Sequence, residues 1–86
     1  MKTVFITGGN RGLGLEFVKQ YSQLGYGVIA TCRNPDEARE LNDLKETSTT
    51  DIKIYSLDVT NHQEIDSLSQ SLSNTPIDII INNAGI

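Results

Sequence analysis

The sequence predicts an α/β fold, the first half of a doubly wound parallel sheet with strand order 3-2-1-4. Three observations predict it. Short apolar runs of strand length alternate with helical apolar stripes in the order β-α-β-α-β-α-β, without a repeat or a linker. The first apolar run, Val4-Phe5-Ile6, ends abruptly in a glycine-rich turn from Gly8 to Gly14, and a helical stripe starts where the glycines stop. Arg33, Asp58 and Asn83 fall, like that turn, at the carboxyl ends of strands. Ligands of such sheets bind beyond those ends, at the switch point between strands one and four.

Strand one is expected over residues 2–7, apolar on successive positions as in a parallel strand covered on both faces. A helix over 13–24 follows, with Leu13, Phe17, Val18, Tyr21 and Leu24 as its stripe, and Gly25 and Gly27 stop it. Strand two spans 28–32. Asn34 then caps a second helix, with Pro35 at its first position and Ala38, Leu41 and Leu44 on its apolar side. Residues 46–51 read as a polar loop. Ile52, Ile54 and Leu57 mark strand three. The third helix opens on a capping box, Thr60 with Gln63 or Asn61 with Glu64, and buries Ile65, Leu68 and Leu72. Asn74-Thr75-Pro76 ends it, residues 77–81 form strand four, and 82–85 turn away.

The chain of 86 residues has room for one small domain. It is 37% hydrophobic and 21% charged, with a net charge of −4 spread along its length. That is the composition of a soluble globular protein, and no nucleic-acid footprint is present. Cys32 stands alone, so no internal disulfide forms; a half-buried structural thiol in a reducing, cytoplasmic setting is expected. No leader is expected, because Met1-Lys2-Thr3 runs straight into a strand. The longest apolar run, residues 77–81, is broken by Asp78 and too short to cross a bilayer, so no membrane partner is expected. His62 reads as a surface residue, and without a Cys/His cluster no metal site is expected.

The glycine turn carries the first chemical inference. Gly8 and Gly12 admit close approach of a ligand to the backbone, and Gly14 lets the helix pack against strand one. The first helical N–H groups point into the turn, and the helix dipole adds about half a positive charge there. An anion, typically a phosphate, suits that position. A tight βα turn without a ligand is the plainer alternative.

These residues resemble the short-chain dehydrogenase/reductase family. Thr7-Gly8-Gly9-Asn10-Arg11-Gly12-Leu13-Gly14 matches its T-G-x-x-x-G-x-G turn, Asp58-Val59 its adenine-contacting pair, and Asn82-Asn83-Ala84-Gly85 its N-N-A-G element. Asn10 to Leu15 with Thr31-Cys32-Arg33-Asn34 look most like the C-factor and sniffer-type carbonyl reductase branch. The resemblance spans the whole chain. It implies a Rossmann fold, with residues 1–86 as its N-terminal dinucleotide-binding part, a fragment of the family's domain. By resemblance, Gly8, Asn10, Arg11, Gly12, Leu13 and Gly14 hold the cofactor, and Asp58 and Val59 meet the adenine. Asn83, Ala84 and Gly85 lie under the adenosine ribose; Asn82 or Asn83 could also tie strand four to its neighbour.

Dinucleotide folds that prefer NAD place an acid about twenty residues after the turn, on the ribose hydroxyls. This chain has Arg33 there, and no acid until Asp36. A guanidinium suits a 2′-phosphate, and Arg11 offers a second cation, so NADP is expected ahead of NAD. The alternative is a pair of solvated arginines.

The resemblance implies hydride transfer involving a small carbonyl or alcohol substrate. It also places the catalytic serine and the Tyr-x-x-x-Lys pair after N-N-A-G. Tyr21, Tyr26 and Tyr55 have no lysine four residues on, so no catalytic residue is assigned here. A non-catalytic dinucleotide-binding or regulatory module is the rival from another class, and Tyr-x-x-x-Lys further along the coding sequence discriminates the two. An extended-type epimerase or dehydratase would carry Gly-x-x-Gly-x-x-Gly, which this turn does not match. Strand four, rich in isoleucine and lacking a neighbour on its far side, predicts self-association.

Overall fold

The computed structural model describes residues 1–84. Its elements are β1 (Thr3–Thr7), α1 (Gly12–Gln23), β2 (Gly27–Cys32), α2 (Arg39–Thr47), β3 (Ile52–Ser56), α3 (His62–Ser71) and β4 (Ile79–Ile81), with a short 3-10 turn at Pro35–Glu37. The sheet order is β3-β2-β1-β4, with every neighbouring pair parallel. This is the doubly wound order the alternation predicts. Among the described residues no helix is long and apolar enough to cross a membrane.

Register decides which residues share a face. Val4 lies beside Val28 and Ile79, and Ile6 beside Ala30 and Ile81. With Cys32 and Ile52 these positions face α1 and α2, where Val18, Ala38 and Leu41 complete the buried core. Burying such a side chain stabilises the fold by about 1.5–3 kcal/mol, so this face holds the sheet together. The opposite face is less covered. Ile65 of α3 is 36% exposed and Ile80 of β4 is 70% exposed. Of the three residues expected to be buried by α3, only Leu72 is. Between α3 and the sheet lies an apolar groove of about 430 Å³ that includes Phe5, Ile65, Leu68 and Ile80.

Several boundaries differ from expectation for local reasons. Gly25 closes α1 with φ +91°, but Gly27 opens β2 rather than ending the helix, and its N–H donates to the Lys2 carbonyl at 2.9 Å. The second helix does not run from Pro35. Asn34 makes no side-chain cap, the chain leaves helical space at Ala38 (φ −84°, ψ 68°), and α2 starts afterwards. Of the two capping boxes, Asn61 with Glu64 forms: Asn61 Oδ1 accepts from the N–H groups of Gln63 and Glu64, and its Nδ2 donates to Glu64 Oε2 at 2.9 Å. Strand four is short because Asp78 is diverted to the start of β1. Its carboxylate accepts from the Thr3 N–H at 2.8 Å, while its own N–H donates to the Thr3 carbonyl at 2.9 Å.

Candidate dinucleotide site

β1 ends at Thr7 and the chain reverses through Gly8 (φ +65°) and Gly12 (φ +56°), both in the left-handed region that side chains rarely adopt. The glycines are crowded to different degrees. A Cβ on Gly12 would meet nothing within 4 Å, so its backbone is open to an approaching ligand. A Cβ on Gly8 would stand 3.0 Å from the Ala84 Cβ, and one on Gly14 would overlap the Gly8 carbonyl oxygen. Gly14 thus packs α1 against the last turn of β1. Gly9, to which sequence reading assigned no role, fits between Ala30 and Val18, and its N–H donates to the Thr31 carbonyl at 3.0 Å. No side chain caps the start of α1 and no acid occupies its first turn, which keeps that end electropositive.

Thr7 joins the turn to the end of β4. Its hydroxyl accepts from the N–H groups of Asn83 and Ala84 and donates to Asn82 Oδ1 at 3.2 Å. Asn83 Nδ2 donates to the Gly8 carbonyl at 3.3 Å. Both asparagines therefore tie β4 to β1. Sequence reading missed the role of Thr7; its signal was a polar residue closing a buried strand just before glycines.

At the ends of β2 and β3 the chain presents Cys32, Arg33 and Asp58. Burial pushes the Cys32 thiol up, against a smaller downward pull from a hydrogen bond with the Asn34 backbone. The Ser56 hydroxyl donates to the Arg33 carbonyl at 3.2 Å, and the Leu57 N–H to the Cys32 carbonyl at 2.9 Å, extending the pairing of the strands. Asp58 Oδ1 accepts from the Thr60 hydroxyl at 2.7 Å and the Thr60 N–H at 2.9 Å. Those two bonds, with a smaller contribution from Arg33, hold its carboxyl below the usual range. Asp58 thus also shapes the turn into α3.

These pieces enclose a cavity of about 660 Å³. From the glycine turn it takes Gly8, Asn10, Arg11 and Gly12; from the strand ends it takes Arg33, Asp58, Val59, Asn83 and Ala84. Two of the remaining sequence-assigned residues do not line it: Leu13 is 63% exposed, and Gly14 is buried beneath the turn. Gly85 lies outside the described residues. Cys32, Asn34, Glu37, Leu57 and Thr60 line it without having been singled out for it in the sequence. Among the described residues the contact ion pair is Lys53 with Asp51; Arg11 and Arg33 make none, although Arg33 lies near enough to Asp58 to favour its charged form. His62 is exposed at the start of α3, and no cluster among the described residues could hold a metal ion.

The family model of short chain dehydrogenases matches residues 2–86. An uncharacterized oxidoreductase of Schizosaccharomyces pombe is 40% identical over 88 residues, covering 99% of this chain and 34% of that protein. A carbonyl reductase from Pseudomonas aeruginosa PAO1, solved in complex with NADP, superposes with a TM-score of 0.91 at 31% identity, covering 100% of this chain and 39% of that one. The L-sorbose reductase of Gluconobacter frateurii, complexed with NADPH and L-sorbose, gives a TM-score of 0.84 at 26% identity, covering 99% of this chain and 34% of that one. The chain spans about a third of the length of these relatives. The sheet order, the glycine turn closed by Thr7 and the family match together establish that this chain belongs to the short-chain dehydrogenase family.

Proposed function

We propose that this chain is the cofactor-binding part of an NADP-dependent oxidoreductase that interconverts a small carbonyl compound and an alcohol. The observation that carries the cofactor choice is Arg33, which makes no contact ion pair among the described residues, at the end of β2 in the same cavity as Arg11 and the glycine turn. The residues fit a dinucleotide: Gly12 is open to its backbone approach, Gly14 leaves no room for a side chain, and the end of α1 favours phosphate.

In this reading Gly8, Asn10, Gly12 and Leu13 line or support the pyrophosphate turn, with Gly14 packing beneath it. Arg11 and Arg33 hold the 2′-phosphate. Asp58 and Val59 meet the adenine, and Asn83, Ala84 and Gly85 the adenosine ribose. The bound dinucleotide supplies or receives the hydride. This chain's residues bind and orient it; by family resemblance, the catalytic serine, the acid–base tyrosine and the lysine that lowers its pKa lie after the N-N-A-G element. The NADP and NADPH complexes of the two solved relatives support the cofactor, and the name of the carbonyl reductase supports the reaction. Assignment to the C-factor and sniffer-type branch, a cytoplasmic location and self-association through β4 belong to the same proposal.

Competition titration tests the cofactor assignment. Adenosine 2′,5′-bisphosphate is expected to displace NADPH at lower concentration than 5′-AMP. Equal displacement by the two would remove the 2′-phosphate from the site.

A further inference from the structure

The cavity contains a charge that the proposed function does not use. Glu37 lines it together with Arg33 and Asn34. Its position follows from the interruption between β2 and α2. The Glu37 N–H donates to the Asn34 carbonyl at 3.0 Å, and the Ala38 N–H to the Pro35 carbonyl at 3.1 Å, closing the 3-10 turn. Ala38 then leaves helical space and is buried. Asn42 Nδ2 donates to the carbonyls of Pro35 and Ala38 at 2.8 and 2.9 Å, so the turn is held from α2 as well. In one continuous helix Glu37 would be an ordinary first-turn acid, favourable to the dipole. Here it ends a separate pinned turn and reaches the cavity.

Glu37 does not neutralise the arginines. Among the described residues neither Arg11 nor Arg33 has a carboxylate in ion-pair contact. The rim therefore presents two cations and two carboxylates: Asp58, held by Thr60 and felt by Arg33, and Glu37, which makes no ion pair among the described residues. Resting on the assignment of the 2′-phosphate to this rim, we infer that Glu37 sets the balance between phosphorylated and unphosphorylated dinucleotides. A 2′-phosphate adds about two negative charges on the same rim and is repelled by the Glu37 carboxylate while the guanidiniums attract it. A free 2′-hydroxyl meets no repulsion, and it can donate a hydrogen bond to a carboxylate. Glu37 thus narrows the preference for NADP that the two arginines alone would impose, and the site accepts both forms.

Equilibrium titration of the protein with NADPH and NADH, read by dinucleotide fluorescence, tests this. Glu37→Gln is compared with Glu40→Gln, which changes net charge equally from the first turn of α2, outside the cavity. Removing the charge from Glu37 is expected to tighten NADPH about three- to tenfold, leaving NADH unchanged or weaker. The NADPH-to-NADH affinity ratio then rises by about that factor, while E40Q moves it less than about twofold. A ratio unmoved by E37Q, or moved equally by E40Q, overturns the inference. An unmoved ratio in E37Q alongside weakened NADPH binding in Arg33→Asp overturns the role of Glu37 and leaves the 2′-phosphate assignment standing. Wild-type protein that binds neither dinucleotide overturns the parent assignment and this inference together.

Discussion

Thr7 Oγ1 accepts the Asn83 N–H at 2.9 Å, a bond between residues 76 apart in sequence. The same oxygen accepts from Ala84 at 3.0 Å, so one hydroxyl fixes the end of β4 against the glycine turn. Thr7→Val keeps the shape and removes the acceptor from both donors. Each partly buried group left unpaired costs about 1–3 kcal/mol. The expected outcome is a lower unfolding midpoint and weaker NADPH binding, with both restored in Thr7→Ser. Denaturant titration and cofactor fluorescence check it; a stable T7V protein with wild-type affinity would refute it.

Gly14 and Gly12 are expected to fail for different reasons. Gly14→Ala places a methyl on the Gly8 carbonyl oxygen, a backbone atom that cannot yield without moving β1 or α1. Loss of dinucleotide binding is expected already with alanine, and complete loss with Gly14→Val. Gly12→Ala meets no neighbour but forces a side chain to φ +56°, at a cost of about 1–2 kcal/mol. Circular dichroism with NADPH titration separates a folded, weakened G12A from a displaced helix in G14V.

Arg33→Asp is expected to weaken NADPH by about 1.5–3 kcal/mol, roughly 10- to 150-fold, and NADH much less. Isothermal titration with both cofactors gives the two ratios. Equal losses would detach Arg33 from the 2′-phosphate.

Asp58 predicts an acid-sensitive turn. Its folded pKa lies below the unfolded value of about 3.9, so the ionised form is favoured in the native state. The stabilisation is fully present above that unfolded value and is lost as pH falls through the lower folded one. The wild type should therefore lose stability more steeply than Asp58→Asn below about pH 4, with parallel behaviour near neutrality. Chemical denaturation at a series of pH values is the measurement. Identical acid slopes would exclude Asp58 from the linkage.

Ile80 predicts association. It is 70% exposed on β4, an edge strand among the described residues. Light scattering of the wild type should rise with concentration, and Ile80→Lys should suppress that rise with little change in stability. A concentration-independent monomer would rule out the edge.

The sheet order was readable because its signals are local: apolar runs, glycines and the Asn61–Glu64 box each act within a few residues. The cavity's charged rim was readable at Arg33 because a strand end fixes where the next residue lies. Thr7 and Gly9 were not, because their roles depend on partners from β4 and β2 that only the folded chain brings close. The break at Ala38 was hidden for a similar reason. Asn34-Pro35 is a sound local start for a helix, and it is the Asn42 side chain, seven residues after Pro35, that satisfies carbonyls in another path. The poor burial of Ile65 was also invisible, since helical spacing shows which face is apolar but not how much surface covers it.

The unequal covering of the two sheet faces has a kinetic consequence. Val4, Ile6, Val28 and Ala30 lie in the dry layer under α1 and α2, whereas α3 and β4 rest on a partly open groove. Amide exchange should be slowest along β1 and β2 and fastest along β4 and α3. The half of the cavity built by Asn83 and Ala84 then undocks more often than the half built by the glycine turn. Only molecules with β4 docked present both halves, so measured affinity is the intrinsic affinity discounted by that docked fraction. A dinucleotide spanning the two halves would act as a splint, drawing β4 into register as it binds.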